Sequence, residues 1–310
     1  MPRHYLSVKD LTAAETLEVL ALAGRLKREV KQGRAHPHLA GRTLAMIFQK
    51  PSLRTRVSFE VGMTQLGGHA IYLGPSDIRL GERETVEDIA MTISRMCDVI
   101  MARVFGHDIV VGLARHATVP VINALSDREH PCQILADLET IQERKGRFEG
   151  LRAVFVGDGN NVAQSLLYGG ALLGMSVTVA CPPGHEPDAG LVADAVALGG
   201  GTGAVIAVSH DVKGAARGAD VLYTDVWASM GQEAEAAQRK HEFKEYTIDS
   251  ALMAVAKPDA VILHCLPAHY GEEIDYATSR TPNSAIFDQA ENRLHAQKAL
   301  MVHLMGGAAA

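Results

Sequence analysis

The residues best suited to chemistry lie in Lys50-Pro51-Ser52-Leu53-Arg54-Thr55-Arg56. Two hydroxyls and two guanidinium forks sit close together, a donor set suited to a tetrahedral dianion such as phosphate. An apolar run from Leu44 to Phe48 precedes them, and Val57, Val61 and Thr64 follow at helical spacing. This order reads as a strand, a tight polar turn and the first turn of a helix. The first helical amides lack intrahelical partners and the dipole is positive there, so the turn favours an anion. A capped helix with two solvated arginines is the alternative. The place of the cluster at a strand end, where open α/β sheets bind ligands, favours the anion site.

Other polar residues fall at comparable places. Arg103 ends the apolar run Val99 to Ala102 and could reach the same anion, or form a salt bridge at a domain edge. Val119 to Asn123 reads as a strand, and the loop after it ends in His130-Pro131-Cys132-Gln133. Pro131 suits the first position of a helix, which puts His130 at the cap and Gln133 on the exposed first turn. Gly74 to Arg83 is a polar loop containing Arg79. Gly157-Asp158-Gly159-Asn160-Asn161 partly matches a dinucleotide fingerprint, but Val162 holds the place of the third glycine. A tight strand-to-helix turn meeting a small ligand is preferred. Asp225 to Glu233 follows Val221 to Thr224 and holds the chain's single Trp. Val261 to Leu263 ends in His264-Cys265-Leu266-Pro267. Neighbours in a strand point to opposite faces, so His264 is poorly placed to activate Cys265 as a nucleophile. Arg293 falls on the first turn of a final helix from about 289 to 305.

These residues need a scaffold of alternating strands and helices. Thr12 with Glu15 and Thr85 with Asp88 mark helix starts, the latter with Val86, Ile89, Ile93 and Met96 on one face. Strands are expected at 41–48, 69–73, 99–102, 119–123, 152–156, 176–180, 204–208, 221–224 and 261–263. The alternation predicts an α/β chain of two domains, each a mostly parallel sheet flanked by helices. The 310 residues suffice for about two cores. Residues 1–147 and 148–288 are the expected domains, followed by a helix at about 289–306.

Composition narrows the class. The chain is 47% hydrophobic and 21% charged with net charge −6, ordinary for a globular protein and unsuited to nucleic acid or an anionic membrane. Cys97, Cys132, Cys181 and Cys265 are scattered, without metal-type pairs or a disulfide framework. Met1 to Tyr5 lack a secretory apolar region, no run is long enough to span a bilayer, and a reducing cytoplasm is expected.

Taken in order, Ser52 to Arg56, Arg103, His130 to Gln133, Asp225 to Gly231 and His264 to Pro267 resemble the aspartate/ornithine carbamoyltransferase family. Ser229-Met230-Gly231 and His264-Cys265-Leu266-Pro267 point to its ornithine branch. The resemblance implies a carbamoyl-phosphate domain and an amino-acid domain with the site in the cleft. It also implies a terminal helix that crosses back to the first domain, and a cytoplasmic homotrimer or a multiple of one in arginine metabolism, biosynthetic or catabolic. Two departures stand out: Leu53 occupies a place that is usually Thr, and Tyr270 one that is often Arg.

By the same resemblance, Ser52, Leu53, Arg54 and Thr55 hold the phosphate, with Arg103, Arg293 and Arg79 adding charge, the last across a subunit interface. Arg103, His130 and Thr55 stabilise the oxyanion of the tetrahedral intermediate. Pro131, Cys132 and Gln133, with the carbonyls of Cys265 and Leu266, line the carbamoyl group. Asn161 and the Met230 amide suit the α-carboxylate of L-ornithine, Asp225 and Ser229 its α-ammonium, and Cys265 with Asp225 its δ-amine. No metal or organic cofactor is implied. N-acetylornithine, putrescine or aspartate as acceptor, and a non-catalytic phosphate-binding protein, are the competing readings.

Overall fold

A computed structural model describes residues 2–81, 83–228 and 235–306. The chain divides into two compact units, Met1–Glu139 with Glu291–Ala310, and Thr140–Ala290.

The first unit opens with α1 (Ala13–Lys31), whose cap Thr12 accepts from Glu15 N while the Glu15 side chain answers at Thr12 N. Four parallel strands follow: β1 (Thr43–Phe48), β2 (His69–Leu73), β3 (Val99–Arg103) and β4 (Val121–Leu125), in the order β2-β1-β3-β4. The helices between them are α2 (Leu53–Gln65), α3 (Pro75–Ile78), α4 (Val86–Ile93) and α5 (His107–His116). β4 starts two residues later than expected. Pro120 has no N–H for a ladder and serves only as acceptor to Ile100 N. α4 ends before Met96, which is exposed rather than on a packed face. α2 turns a different face inward from the one its spacing suggested. Phe59 and Met63 are fully buried, whereas Val57 and Val61 are exposed.

The helix α6 (Pro131–Lys145) carries the chain out of the first unit, and α12 (Ile286–Met305) returns to it. Ala296, Leu300 and Met301 of α12 share a core with Phe59 and Met63. Gly62 permits the approach, because a Cβ there would lie 3.2 Å from Lys298 Cγ. α12 starts three residues before the expected position, so Arg293 sits in its interior and not on the first turn.

The second unit is a five-stranded parallel sheet of β5 (Arg152–Val156), β6 (Ser176–Ala180), β7 (Ile206–Ser209), β8 (Val221–Thr224) and β9 (Val261–His264), ordered β7-β6-β5-β8-β9. Its helices are α7 (Asn161–Leu173), α8 (Ala189–Gly200), α9 (Val212–Ala216), α10 (Ala236–Glu242) and α11 (Ser250–Met253). The fold class is therefore as expected, two parallel sheets flanked by helices. In each sheet the order reverses at one point, between β1 and β3 and between β5 and β8. Connections leave a parallel sheet in opposite directions at such a point and open a crevice at the carboxyl ends of the strands.

Candidate active site

In the first unit, α2 begins where β1 ends at the crevice. Ser52 caps it, with Oγ accepting from Thr55 N at 3.4 Å and donating to Thr55 Oγ1 at 3.1 Å. Leu53 is the first helical residue and its side chain is 74% exposed, so only its backbone can serve a bound anion. Arg103 closes β3 opposite Phe48 and is buried. Its carbonyl accepts from Gln49 N at 2.9 Å.

The loop after β4 delivers His130 to the start of α6, where Pro131 is the first helical residue. Gln133 lies on that first turn and is fixed from two sides. Its Nε2 donates to Asp137 Oδ1 at 2.8 Å, and its Oε1 accepts from Arg293 Nη1 at 2.6 Å. Arg293 Nη2 reaches Thr55 Oγ1 at 3.4 Å. One guanidinium from α12 thus ties the first turns of α2 and α6. Thr55, Arg103, His130, Gln133 and Arg293 are all buried.

Burial holds the His130 pKa well below the usual histidine value, and the charges of Arg293, Arg103, Lys50 and Arg54 push it the same way. His130 is a neutral imidazole at neutral pH, set in a positive field. A neutral ring in such a field can hydrogen-bond a developing oxyanion without charge repulsion among the cations. From the sequence alone, Lys50 has a place in the opening stretch but no role. Its ammonium lies 5.0 Å from the Phe105 ring, and burial and Arg103 lower its pKa. Cys132 has a structural part, with Sγ donating to Asn123 O at 3.4 Å and its pKa pushed up to about 12 by burial. Arg79 caps α3 in the left-handed region at φ 40° with an exposed side chain, and its N–H donates to Pro75 O at 3.3 Å. The bonds joining Thr55, Gln133 and Arg293 do not include it.

In the second unit, Gly157 to Asn161 follow β5, and Asp225 follows β8. Gly159 is required by packing, since a Cβ there would sit 2.2 Å from Pro187 N. Asn160 caps α7, with Oδ1 accepting from Val162 N and Ala163 N at 3.0 and 3.1 Å. Its Nδ2 donates to Asp225 Oδ2 at 2.9 Å. Asp225 Oδ1 accepts from Val226 N at 2.8 Å and from Cys265 Sγ at 3.0 Å. A buried carboxylate is thus aimed by a cap residue and a thiol. Asn161, chosen from the sequence, is the first residue of α7; the direct partner of Asp225 is its neighbour. A second carboxylate was missed. Asp158 lies close enough for Asp225 to raise its pKa, though burial raises it more and Arg239 opposes both. Ser229 and Met230 lie outside the described residues.

His264 and Cys265 are not an acid–base couple. His264 Nδ1 accepts from Leu266 N at 2.9 Å, which leaves Nε2 as the protonated nitrogen, 3.0 Å from Glu273 Oε1. Leu266 is in the left-handed region at φ 59°. Asp225, His264 and Cys265 gather ligand-type atoms within 4.8 Å. With both ring nitrogens engaged, His264 has no lone pair to offer a metal without giving up a bond.

Of the two switch-point crevices, one is cationic around a neutral imidazole and the other is built on a buried carboxylate. Residues 3–143 match the carbamoyl-phosphate-binding domain of aspartate/ornithine carbamoyltransferase, and residues 149–304 match its aspartate/ornithine-binding domain. The chain is 52% identical over 305 residues to an ornithine carbamoyltransferase of Methanosarcina acetivorans, covering 98% of this chain and 100% of that one. It is also 52% identical over 305 residues to the anabolic ornithine carbamoyltransferase of Pyrococcus furiosus, covering 98% and 97%. A solved structure of ornithine carbamoyltransferase from Pyrococcus furiosus superposes with a TM-score of 0.96 at 52% identity, covering 99% of this chain and 98% of that one. Matched along nearly its whole length in both sequence and fold, the chain belongs to the aspartate/ornithine carbamoyltransferase family.

Proposed function

We propose that the chain is an ornithine carbamoyltransferase, moving the carbamoyl group of carbamoyl phosphate to the δ-amine of L-ornithine to give L-citrulline and phosphate. The observation that carries the acceptor assignment is the Asn160–Asp225–Cys265 chain. A buried carboxylate held this way costs several kcal/mol unless a cation meets it. Free ornithine supplies one through its α-ammonium; N-acetylornithine has lost it. Aspartate would bring a second carboxylate toward Asp225. Putrescine has no carboxylate for Asn161.

In this reading the first unit binds carbamoyl phosphate. Ser52, Arg54 and Thr55, the Leu53 amide, Arg103 and Arg293 hold the phosphate. Pro131, Cys132 and Gln133, with the Cys265 and Leu266 carbonyls, line the carbamoyl amide. Ornithine enters with its α-carboxylate toward Asn161 and Met230 and its α-ammonium toward Asp225 and Ser229. Its δ-amine is protonated in water and must lose that proton before attack. The Cys265–Asp225 pair orients the amine. The nitrogen lone pair then adds to the carbamoyl carbon, and Arg103, His130 and Thr55 meet the charge on oxygen. The carbon–oxygen bond to phosphate breaks, and the phosphate leaves with the second proton, shed by the nitrogen after it adds; the first has gone to solvent. No step requires a metal or an organic cofactor.

Biosynthetic direction, toward arginine, is our assignment, supported by the name of the Pyrococcus furiosus relative. We further assign the chain to the cytoplasm as a homotrimer or a multiple of one. Among the described residues no helix is long and apolar enough to cross a membrane. Arg79 would complete the phosphate site of a neighbouring subunit. Mixed Arg79→Ala and Arg54→Ala chains should regain activity, and none regained despite subunit exchange would refute sharing. The acceptor is tested with ornithine, N-acetylornithine, putrescine and aspartate, reading the ureido product. Ornithine should lead the others by at least about a hundredfold in kcat/KM, the worth of one or two buried charge-assisted bonds. Equal use of N-acetylornithine would refute the assignment.

A further inference from the structure

Arg239 lies on α10 and is almost fully buried, at 7% exposure. It is not part of the chemistry derived above. Its Nη1 donates to Trp227 O at 2.9 Å and lies 3.1 Å from Asp158 Oδ2. Its Nε donates to Glu235 Oε2 at 3.0 Å. The acceptors belong to different segments. Trp227 follows Asp225 in the loop after β8, and Asp158 precedes Asn160 in the loop after β5. Those loops are already joined on one side by the bond from Asn160 to Asp225 at 2.9 Å. The guanidinium joins them a second time.

The surroundings make this second joint rigid. Phe243 packs against the Trp227 ring at 5.9 Å and against the His185 ring at 4.6 Å. His185 Nε2 lies 2.8 Å from Glu242 Oε2, and its Nδ1 lies 3.8 Å from Asp158 Oδ1. The pair also has an electrostatic effect. Without a cation, the Asp158 carboxylate would repel Asp225; Arg239 cancels its charge, leaving Asp225 as the charge presented to a ligand.

We propose that the Asp158–Arg239 ion pair positions the ornithine pocket, fixing Asn160 and Asp225 at the spacing that recognises the amino acid. Neither residue touches substrate; both act through the loops they join. The inference rests on assigning the Asp225 pocket to ornithine. Lysine cannot take the place of the arginine. It is a point charge, whereas the guanidinium serves Asp158, Trp227 and Glu235 from one rigid plane.

The test uses Arg239→Lys, which keeps the charge, Asp158→Asn, which nearly keeps the shape, and the double variant. Steady-state kinetics are measured for both substrates. Trp227 is the only tryptophan in the chain, so its emission gives an ornithine dissociation constant independent of turnover. Each single variant should raise the ornithine KM and dissociation constant by about tenfold or more, the loss of one charged hydrogen bond, with the carbamoyl-phosphate KM within twofold. The double variant should be no worse than the poorer single, because a broken pair cannot be broken twice. If wild type does not use ornithine, the functional assignment fails. If wild type does, and either the ornithine constants stay within twofold, both substrates weaken alike, or the two penalties multiply, the positioning role is overturned. Should Arg239→Lys be insoluble, Asp158→Asn alone decides between the first two outcomes.

Discussion

Replacing Arg293 by Met removes one charge while keeping a long apolar stem for α12. Its Nη1 donates to Gln133 Oε1 at 2.6 Å and so joins α12 to the anion crevice. If the phosphate also accepts from this guanidinium, the variant loses one charge-assisted bond to ligand, about 1.5–3 kcal/mol, or roughly 10- to 150-fold in affinity. Gln133 Oε1 and Thr55 Oγ1 lose a donor as well, which costs a further ~1–3 kcal/mol of stability if water does not replace it. Arg293 is also the largest charge acting on His130, after burial. Its removal raises the His130 pKa, so the acid limb of activity should move to higher pH. Carbamoyl phosphate hydrolyses in solution, so affinity is best measured by calorimetry with the stable phosphonate analogue phosphonoacetamide, beside a pH profile of kcat/KM. Binding within threefold of wild type, with an unmoved acid limb, would refute both the phosphate contact and the electrostatic coupling.

Asp225→Asn should retain fold and shape and lose at least about two orders of magnitude in kcat/KM for ornithine, along with most discrimination against N-acetylornithine; parallel assays of both acceptors check it. Cys265→Ser should slow turnover without abolishing it, because the sulfur donates to Asp225 and forms no bond to carbon, and a carbamoylated Cys265 in intact-protein mass spectra would contradict this. Acid should destabilise the fold through His130. Its folded pKa is depressed, so stability is flat above the unfolded value of about 6.5 and falls as pH drops from there toward the folded pKa. Denaturant titrations should show less loss between pH 6.5 and 5 in His130→Gln; an identical loss would place the proton uptake elsewhere.

The sequence revealed most where chemistry and secondary structure share the same residues. Ser52 is both the helix cap and a candidate phosphate ligand, and Pro131 both starts α6 and fixes His130 at its end. Elsewhere the signals were degenerate. α2 carries apolar residues on two faces, so spacing alone could not show that Phe59 and Met63, rather than Val57 and Val61, are buried. Asn160 and Asn161 are adjacent asparagines, and only the cap geometry separates the one bonded to Asp225. Asp158 and Arg239 lie in separate loops and helices, and no local pattern pairs residues so far apart in sequence. Lys50 opened the very stretch singled out first, but its approach to Arg103 depends on how β1 and β3 lie side by side.

The ladder between β3 and β4 contains a spacer. Ala102 pairs with Asn123 and Arg103 with Leu125, so Ala124 is one residue more than the register needs. Over the same rise β4 is therefore longer than its neighbour, by about 3.3 Å of extended chain. That surplus sets how far past Arg103 the chain has travelled when it turns toward His130. Excising Ala124 would straighten the ladder and draw the start of α6 back by about that length, unless the intervening loop absorbed it. Gln133 would then no longer meet Arg293. A buried alanine with no polar side chain thus sets the spacing between the end of β3 and the start of α6.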